Sequence, residues 1–218
     1  MVGQFVVIGL GIFGRTVAVN LARSGHSVLA VDLDQQEVDR VAPELDSVVR
    51  ADATDEQALR ELRLERVSCA VVAIGAQSME ASILTTALLR QMGVPRIVAR
   101  SLSELHARVL RAVGAHEVVS PEEEMGHRLA RRLSEPNVLE RLELGEDSEL
   151  VELAAPESFI GKTLVDLNVR QQYGVTVVAV RRAGTVRASL GTGDRLEPGD
   201  VLVVIGDPEG ASRLAALA

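Results

Sequence analysis

The 218-residue chain has one cysteine, no tryptophan, one tyrosine and three phenylalanines. A single cysteine excludes an internal disulfide framework and any cysteine-based metal cluster. Cys69 lies in the apolar run 69–74, the setting of a small buried core residue rather than of a nucleophile. Aromatics make up 2% of the residues, too few for the stacking platforms that hold single-stranded nucleic acid. Basic charge is in deficit as well. The formal net charge of −8 argues against a phosphate-backbone footprint on DNA. No stretch approaches the roughly 18 apolar residues of a membrane helix, and the first strand starts too early to leave room for a signal peptide. A cytosolic chain is expected, one that reaches a membrane by holding another protein. What the chain does have is 47% apolar residues, so its cores must be built from Val, Leu, Ile and Ala.

Apolar runs alternate with helical patterns up to about residue 120, as in a parallel sheet wrapped by helices. The runs fall at 5–8, 28–31, 48–49, 69–74, 97–99 and 118–119, with helices expected near 13–24, 35–41, 55–62, 79–92 and 103–113. Each run is short and almost wholly apolar, as expected of strands covered on both faces. Ser103 is placed to cap one helix and Gly114 to close it. Six strands in this order fit a doubly wound sheet, an α/β Rossmann fold. Residues 122–134 read as a helix leading out of this domain. After it, strands at 150–153, 175–181, 185–189 and 201–205 are joined by turns without long helices. The expected organisation is a first domain at 1–134, a linker at 135–147, and a small α+β domain with mostly antiparallel pairing at 148–218.

Gly9, Gly11 and Gly14 form G-x-G-x-x-G directly after a strand and before a helix. In such a loop the first glycine permits the tight turn and the second lets a pyrophosphate approach the backbone. The third lets helix and strand pack closely. The helix N-terminus, with Ile12 and Phe13, then offers N–H groups and a partial positive charge to phosphates. Asp32 ends the second strand eighteen residues after Gly14, where an acid accepts hydrogen bonds from ribose hydroxyls and repels a 2′-phosphate. Leu33 follows it. Asp52, Ala53 and Thr54 lie past the third strand at the same sheet edge; Asp52 either faces an adenine amino group or shares in a helix start capped by Thr54 or Asp55. Ala73, Ile74 and Gly75 end the fourth strand over the same crevice, and Arg100 ends the fifth within reach of phosphate oxygens.

Catalytic groups are hard to find. His26, His106, His116 and His127 are scattered without an orienting acid and read as surface residues, and no nucleophile triad or paired-histidine metal spacing stands out. Glu122, Glu123 and Glu124 open a helix, where acids stabilise the dipole.

Val7-Ile8-Gly9-Leu10-Gly11, Phe13-Gly14, Val31-Asp32, Ala51-Asp52-Ala53-Thr54 and Ala73-Ile74-Gly75 together resemble the RCK domain, the regulator of potassium conductance. The second half agrees. Asp166-Leu167-Asn168-Val169-Arg170, Tyr173-Gly174, and the run from Gly193 through Asp200 into 201–206 resemble that family's C-terminal domain. The resemblance is to the KtrA-like type. It implies a cytosolic gating subunit of Ktr or Trk potassium uptake systems: an octameric ring of dimers under a KtrB- or TrkH-like channel subunit. It implies ATP or ADP as ligand, alternatively NAD or NADH, and Glu122 as a holder of Mg²⁺ or another cation beside the phosphates. It also implies cyclic di-AMP as a possible second ligand, near Leu164, Val165, Asn168 and Arg170. One departure is Ile12, where KtrA-like chains often carry Arg; here the arginine is Arg15. The leading reading is thus a regulatory binding module without turnover. An NAD-dependent oxidoreductase and a nucleotide sensor with another partner are the alternatives.

Overall fold

A computed structural model describes residues 3–75, 78–145, 147–188 and 191–217. They form two compact units that divide between Glu124 and Met125.

In the first unit, β1 (Gln4–Ile8), β2 (Ser27–Asp32), β3 (Ser47–Arg50), β4 (Cys69–Val72), β5 (Ile97–Arg100) and β6 (Glu117–Val119) make one six-stranded sheet. Its order is β3-β2-β1-β4-β5-β6, and every pairing is parallel. Successive strand residues point to opposite faces, so one strand feeds two cores. Val6 and Ile8 enter one and Val7 the other; Ala70 and Val72 enter the first, Cys69 and Val71 the second. Helices α1 (Ile12–Arg23) and α2 (Gln35–Val41) cover the second core with Ala18, Val19, Val38 and Val41. Helices α3 (Glu56–Glu61), α4 (Met79–Gln91) and α5 (Glu104–Ala112) cover the first with Leu59, Leu89 and Leu110. Each such Val or Leu side chain contributes about 1.5–3 kcal/mol when fully buried.

Helix starts follow the local chemistry. Asp34, Asp55, Ser78 and Ser103 cap α2, α3, α4 and α5 through side-chain oxygens that accept from backbone N–H groups. One expectation fails here. His106 is not a surface residue but 1% exposed, on the core-facing side of α5 with Ala107 and Leu110. Its Nδ1 accepts from the Leu102 N–H at 3.3 Å, and burial pulls its pKa below the ordinary imidazole value.

Helix α6 (Pro121–Ser134) carries the chain across the division, with no residue of its own buried. In the second unit, β7 (Val138–Gly145), β8 (Ser148–Ala154), β9 (Thr176–Arg182), β10 (Thr185–Arg187) and β11 (Val201–Gly206) form an antiparallel sheet ordered β10-β9-β11-β8-β7. Short helices α7 (Leu164–Leu167) and α8 (Val169–Tyr173), with α9 (Pro208–Ala215), add Leu167, Val169 and Leu214 to a core built on Val151, Leu153, Leu202 and Val204. Strand β7 occupies most of the segment read from sequence as a linker. Its pairing with β8 shifts register between Val138 and Glu140 and again between Glu143 and Gly145, which breaks the two-residue alternation that announces a strand. Ser189, the expected end of the strand that is β10, lies outside the described residues.

Charge in this unit is paired internally. Arg182 grips the 1%-exposed Asp200 through Nε to Oδ1 and Nη2 to Oδ2, both at 2.8 Å, and also meets Glu197. The partnership holds the Asp200 carboxyl below the usual range, with the Arg182 hydrogen bonds as the main cause. Arg141 on β7 pairs with the 3%-exposed Glu149 on β8 at 2.6 Å and with Glu135 at 2.9 Å.

Candidate functional site

At the carboxyl edge of the parallel sheet, the ends of β1 to β4 open a cleft of about 370 Å³. Its floor is the glycine loop between β1 and α1. Gly9 has φ +93°, and a Cβ there would fall 2.8 Å from the backbone of Ala73 and Ile74, so only glycine fits. A Cβ on Gly14 would lie 1.8 Å from the Gly9 carbonyl oxygen, which is the close helix–strand approach expected of the third glycine. Gly11 differs: nothing lies within 4 Å of its would-be Cβ, and it lines the cleft. It is also the N-cap of α1, with no side-chain cap and no acid in the first turn. The first N–H groups of this twelve-residue helix thus have no side-chain cap, and they start beside a glycine with open space around it.

Asp32 stands at one wall. Its Oδ2 accepts from the Leu10 N–H at 2.5 Å and its Oδ1 from the Asp34 N–H at 2.8 Å, so the carboxylate anchors the loop as well as facing the cleft. Opposite it in the sheet register is Arg50, whose Nε donates to the Leu33 carbonyl at 3.0 Å. At the third strand's end the open alternatives separate. Asp55 caps α3, accepting from Gln57 and Ala58, which leaves the Thr54 hydroxyl to donate to Asp52 Oδ1 at 2.6 Å. That bond and the Thr54 N–H hold the Asp52 carboxyl below the ordinary value, so it is ionised and acceptor-only at neutral pH. It suits the amino group of an adenine better than a ring carbonyl.

Of the residues picked from sequence, Gly9, Gly11, Asp32, Leu33, Asp52, Ala53, Thr54, Ala73, Ile74 and Gly75 line this one cleft. Ile12, Phe13, Gly14 and Arg100 are not part of the lining. Ile12 is 82% exposed at the head of α1, and Gly14 is consumed in packing. Arg100 lies with its guanidinium 5.8 Å from the centre of the Phe13 ring and forms an ion pair with Glu122. No group of three His, Cys, Asp or Glu able to hold a metal occurs among the described residues. Glu122, already paired, does not by itself fit a cation within one chain. Sequence reasoning missed Asp34 and Ser78, which line the cleft while capping α2 and α4; an Asp or Ser just before a helical pattern was the available signal. In the second unit Leu164, Val165, Asn168 and Arg170 border a shallow depression of about 260 Å³.

Residues 5–121 match the TrkA-N domain family and residues 149–218 the TrkA-C domain family. The chain belongs to this TrkA-N/TrkA-C family. Among its relatives is the Ktr system potassium uptake protein C of Bacillus subtilis (strain 168). The two are 38% identical over 210 residues, which cover 96% of this chain and 95% of that protein. The solved GsuK channel superposes over 100% of this chain and 39% of its own, with a TM-score of 0.71 at 21% identity, a likeness of fold. The structure of GsuK bound to ADP matches 62% of this chain and 34% of its own, with a TM-score of 0.52 at 28% identity. In both cases this TrkA-family chain spans well under half of the solved one. The six-strand order and the antiparallel second sheet are those expected of an RCK-type chain.

Proposed function

We propose that this chain is a nucleotide-sensing regulatory subunit that gates a membrane potassium channel or transporter of the Ktr/Trk kind. The observation that carries the reading is the cleft. An uncapped helix N-terminus, an open glycine and two carboxylates placed for ribose and adenine are a binding site for an adenine nucleotide. The near-full-length likeness to a potassium uptake protein supports the potassium system as the place of action, and the GsuK structure with ADP supports the nucleotide. The ligand is ADP or ATP, with NAD or NADH as the other adenine-bearing candidates. A cation such as Mg²⁺ joins at Glu122 only once that carboxylate has left Arg100.

The subunit works by differential affinity. A ligand that binds two arrangements of the assembly unequally shifts their populations, and a ligand that binds both alike shifts nothing. Chemistry on the ligand is not required. The chain acts on the inner membrane face through its channel partner, as dimers assembled into an octameric ring, and cyclic di-AMP at the second unit would be a further input.

Calorimetric titration with ATP, ADP, NAD and NADH, with and without Mg²⁺, tests the reading. Micromolar binding of at least one, about −8 kcal/mol, is expected, together with a nucleotide-dependent change in potassium flux through the partner in vesicles. No binding of any adenine nucleotide overturns it, and steady hydride transfer with NADH would replace it with the oxidoreductase reading.

A further inference from the structure

We infer that the Arg100–Glu122 pair is a charge latch on helix α6, opened when the phosphate of a bound nucleotide draws Arg100 away from Glu122. This rests on the nucleotide reading above and adds to it a route by which the ligand is felt outside the cleft.

Arg100 is the last residue of β5, and its side chain is only 16% exposed. One terminal nitrogen meets Oε1 of Glu122, while its Nε is buried with no hydrogen-bond partner among the described residues. The guanidinium also lies 5.8 Å from the ring centre of Phe13, the second residue of α1. A single positive charge is thus held between a carboxylate and the side chain of the second residue of α1, the helix whose start would receive a phosphate. The first turn of α1 has no acid and no capping side chain, so nothing on that helix opposes an anion. Glu122 opposes it indirectly, by occupying Arg100. A phosphate offers more charge and a better bidentate match to a guanidinium than one carboxylate oxygen does, and Arg100 has an unused donor in Nε.

Glu122 stands in the first turn of α6, the helix that runs through the division between the units and buries none of its residues. When Arg100 turns to the phosphate, that turn loses its ion pair to the sheet edge. Phosphate occupancy and the start of α6 are then coupled through one arginine, and Glu122 becomes available to other charge.

The test compares ADP with adenosine on the full chain, in the presence of a chelator so that no divalent cation takes part. Glu122→Gln is expected to bind ADP roughly three- to tenfold more tightly than the native chain, with adenosine unchanged. Arg100→Gln is expected to weaken ADP by a similar factor and spare adenosine. Amide exchange in the first turn of α6 should rise with ADP but not with adenosine. Unchanged or weaker ADP binding in Glu122→Gln, or exchange that ignores ADP, overturns the latch and leaves the nucleotide reading standing. Should Arg100→Gln fail to fold, the exposed Glu122 position decides alone. A native chain that binds neither ADP nor adenosine overturns latch and nucleotide reading together.

Discussion

The cleft-facing carboxylates of the first unit and the most buried carboxylates of the second are treated in opposite ways. In the first, Gly11 is open, α1 is uncapped, and Asp32 and Asp52 face a cleft, so polar capacity at the sheet edge is left for something else to satisfy. In the second, the most buried carboxylates, Glu149 and Asp200, each have an arginine of the same unit. The Asp-rich strand ends of the first unit line a cleft, whereas the run from Gly193 to Asp200 closes onto Arg182, which donates to the Arg195 carbonyl and the Asp200 carboxylate. A buried charge with its partner present holds a fold together, and an open donor set without one awaits a ligand.

Substitutions at three positions probe that contrast. The largest effect is expected from Arg141→Ala, which leaves the Glu149 carboxylate buried and unpaired. Unfolding in urea should show a loss of about 3–5 kcal/mol, with nucleotide affinity unmoved because the cleft belongs to the other unit. Next comes Asp32→Ala, which removes the proposed ribose acceptor together with two loop bonds. Titration should show nucleotide binding weakened by about 1.5–3 kcal/mol for each charge-assisted bond lost, and equal affinity would place the ribose elsewhere. Asp32→Asn can keep only one of the two loop bonds, from the Leu10 or the Asp34 N–H, so an intermediate loss is expected of it. The smallest effect concerns His106. Burial holds it neutral in the folded chain, whereas the unfolded chain takes up a proton below the ordinary imidazole value near 6.5. Its contribution is therefore complete above about pH 6.5 and is lost as the pH falls below that. Melting temperatures measured at pH 7.5 and 5.5 should differ more in the native chain than in His106→Asn.

The first unit was legible almost throughout, because fully covered parallel strands write unbroken apolar runs and capped helices write Asp or Ser before them. The glycine spacing named the loop, and Asp32 followed from its distance along the chain. What stayed hidden was three-dimensional. Asp52 and Thr54 were legible as neighbours, but not that Asp55 would take the cap and leave the Thr54 hydroxyl for Asp52. The pairing of Arg100 with Glu122 joins a strand end to the first turn of a helix, two places that no local pattern links. His106 looked like surface because one histidine in a short helix does not say which face it is on. Strand β7 was lost because an edge strand bulged in two places, with Leu139, Leu142 and Leu144 exposed, neither alternates nor reads as core.

Helix α6 has a consequence for how a lone chain ages. Fourteen residues with no buried side chain fold on propensity and on ion pairs such as Arg128–Glu140 and Arg131–Glu143, which is a marginal footing for a helix in water. It is also the only covalent tie between two bodies that each keep their own core. Arg128, Arg131 and Arg132 make it a natural substrate for trypsin-like proteases wherever it frays. A chain in which α6 frays thus offers a cleavable joint between two cores that each stay closed.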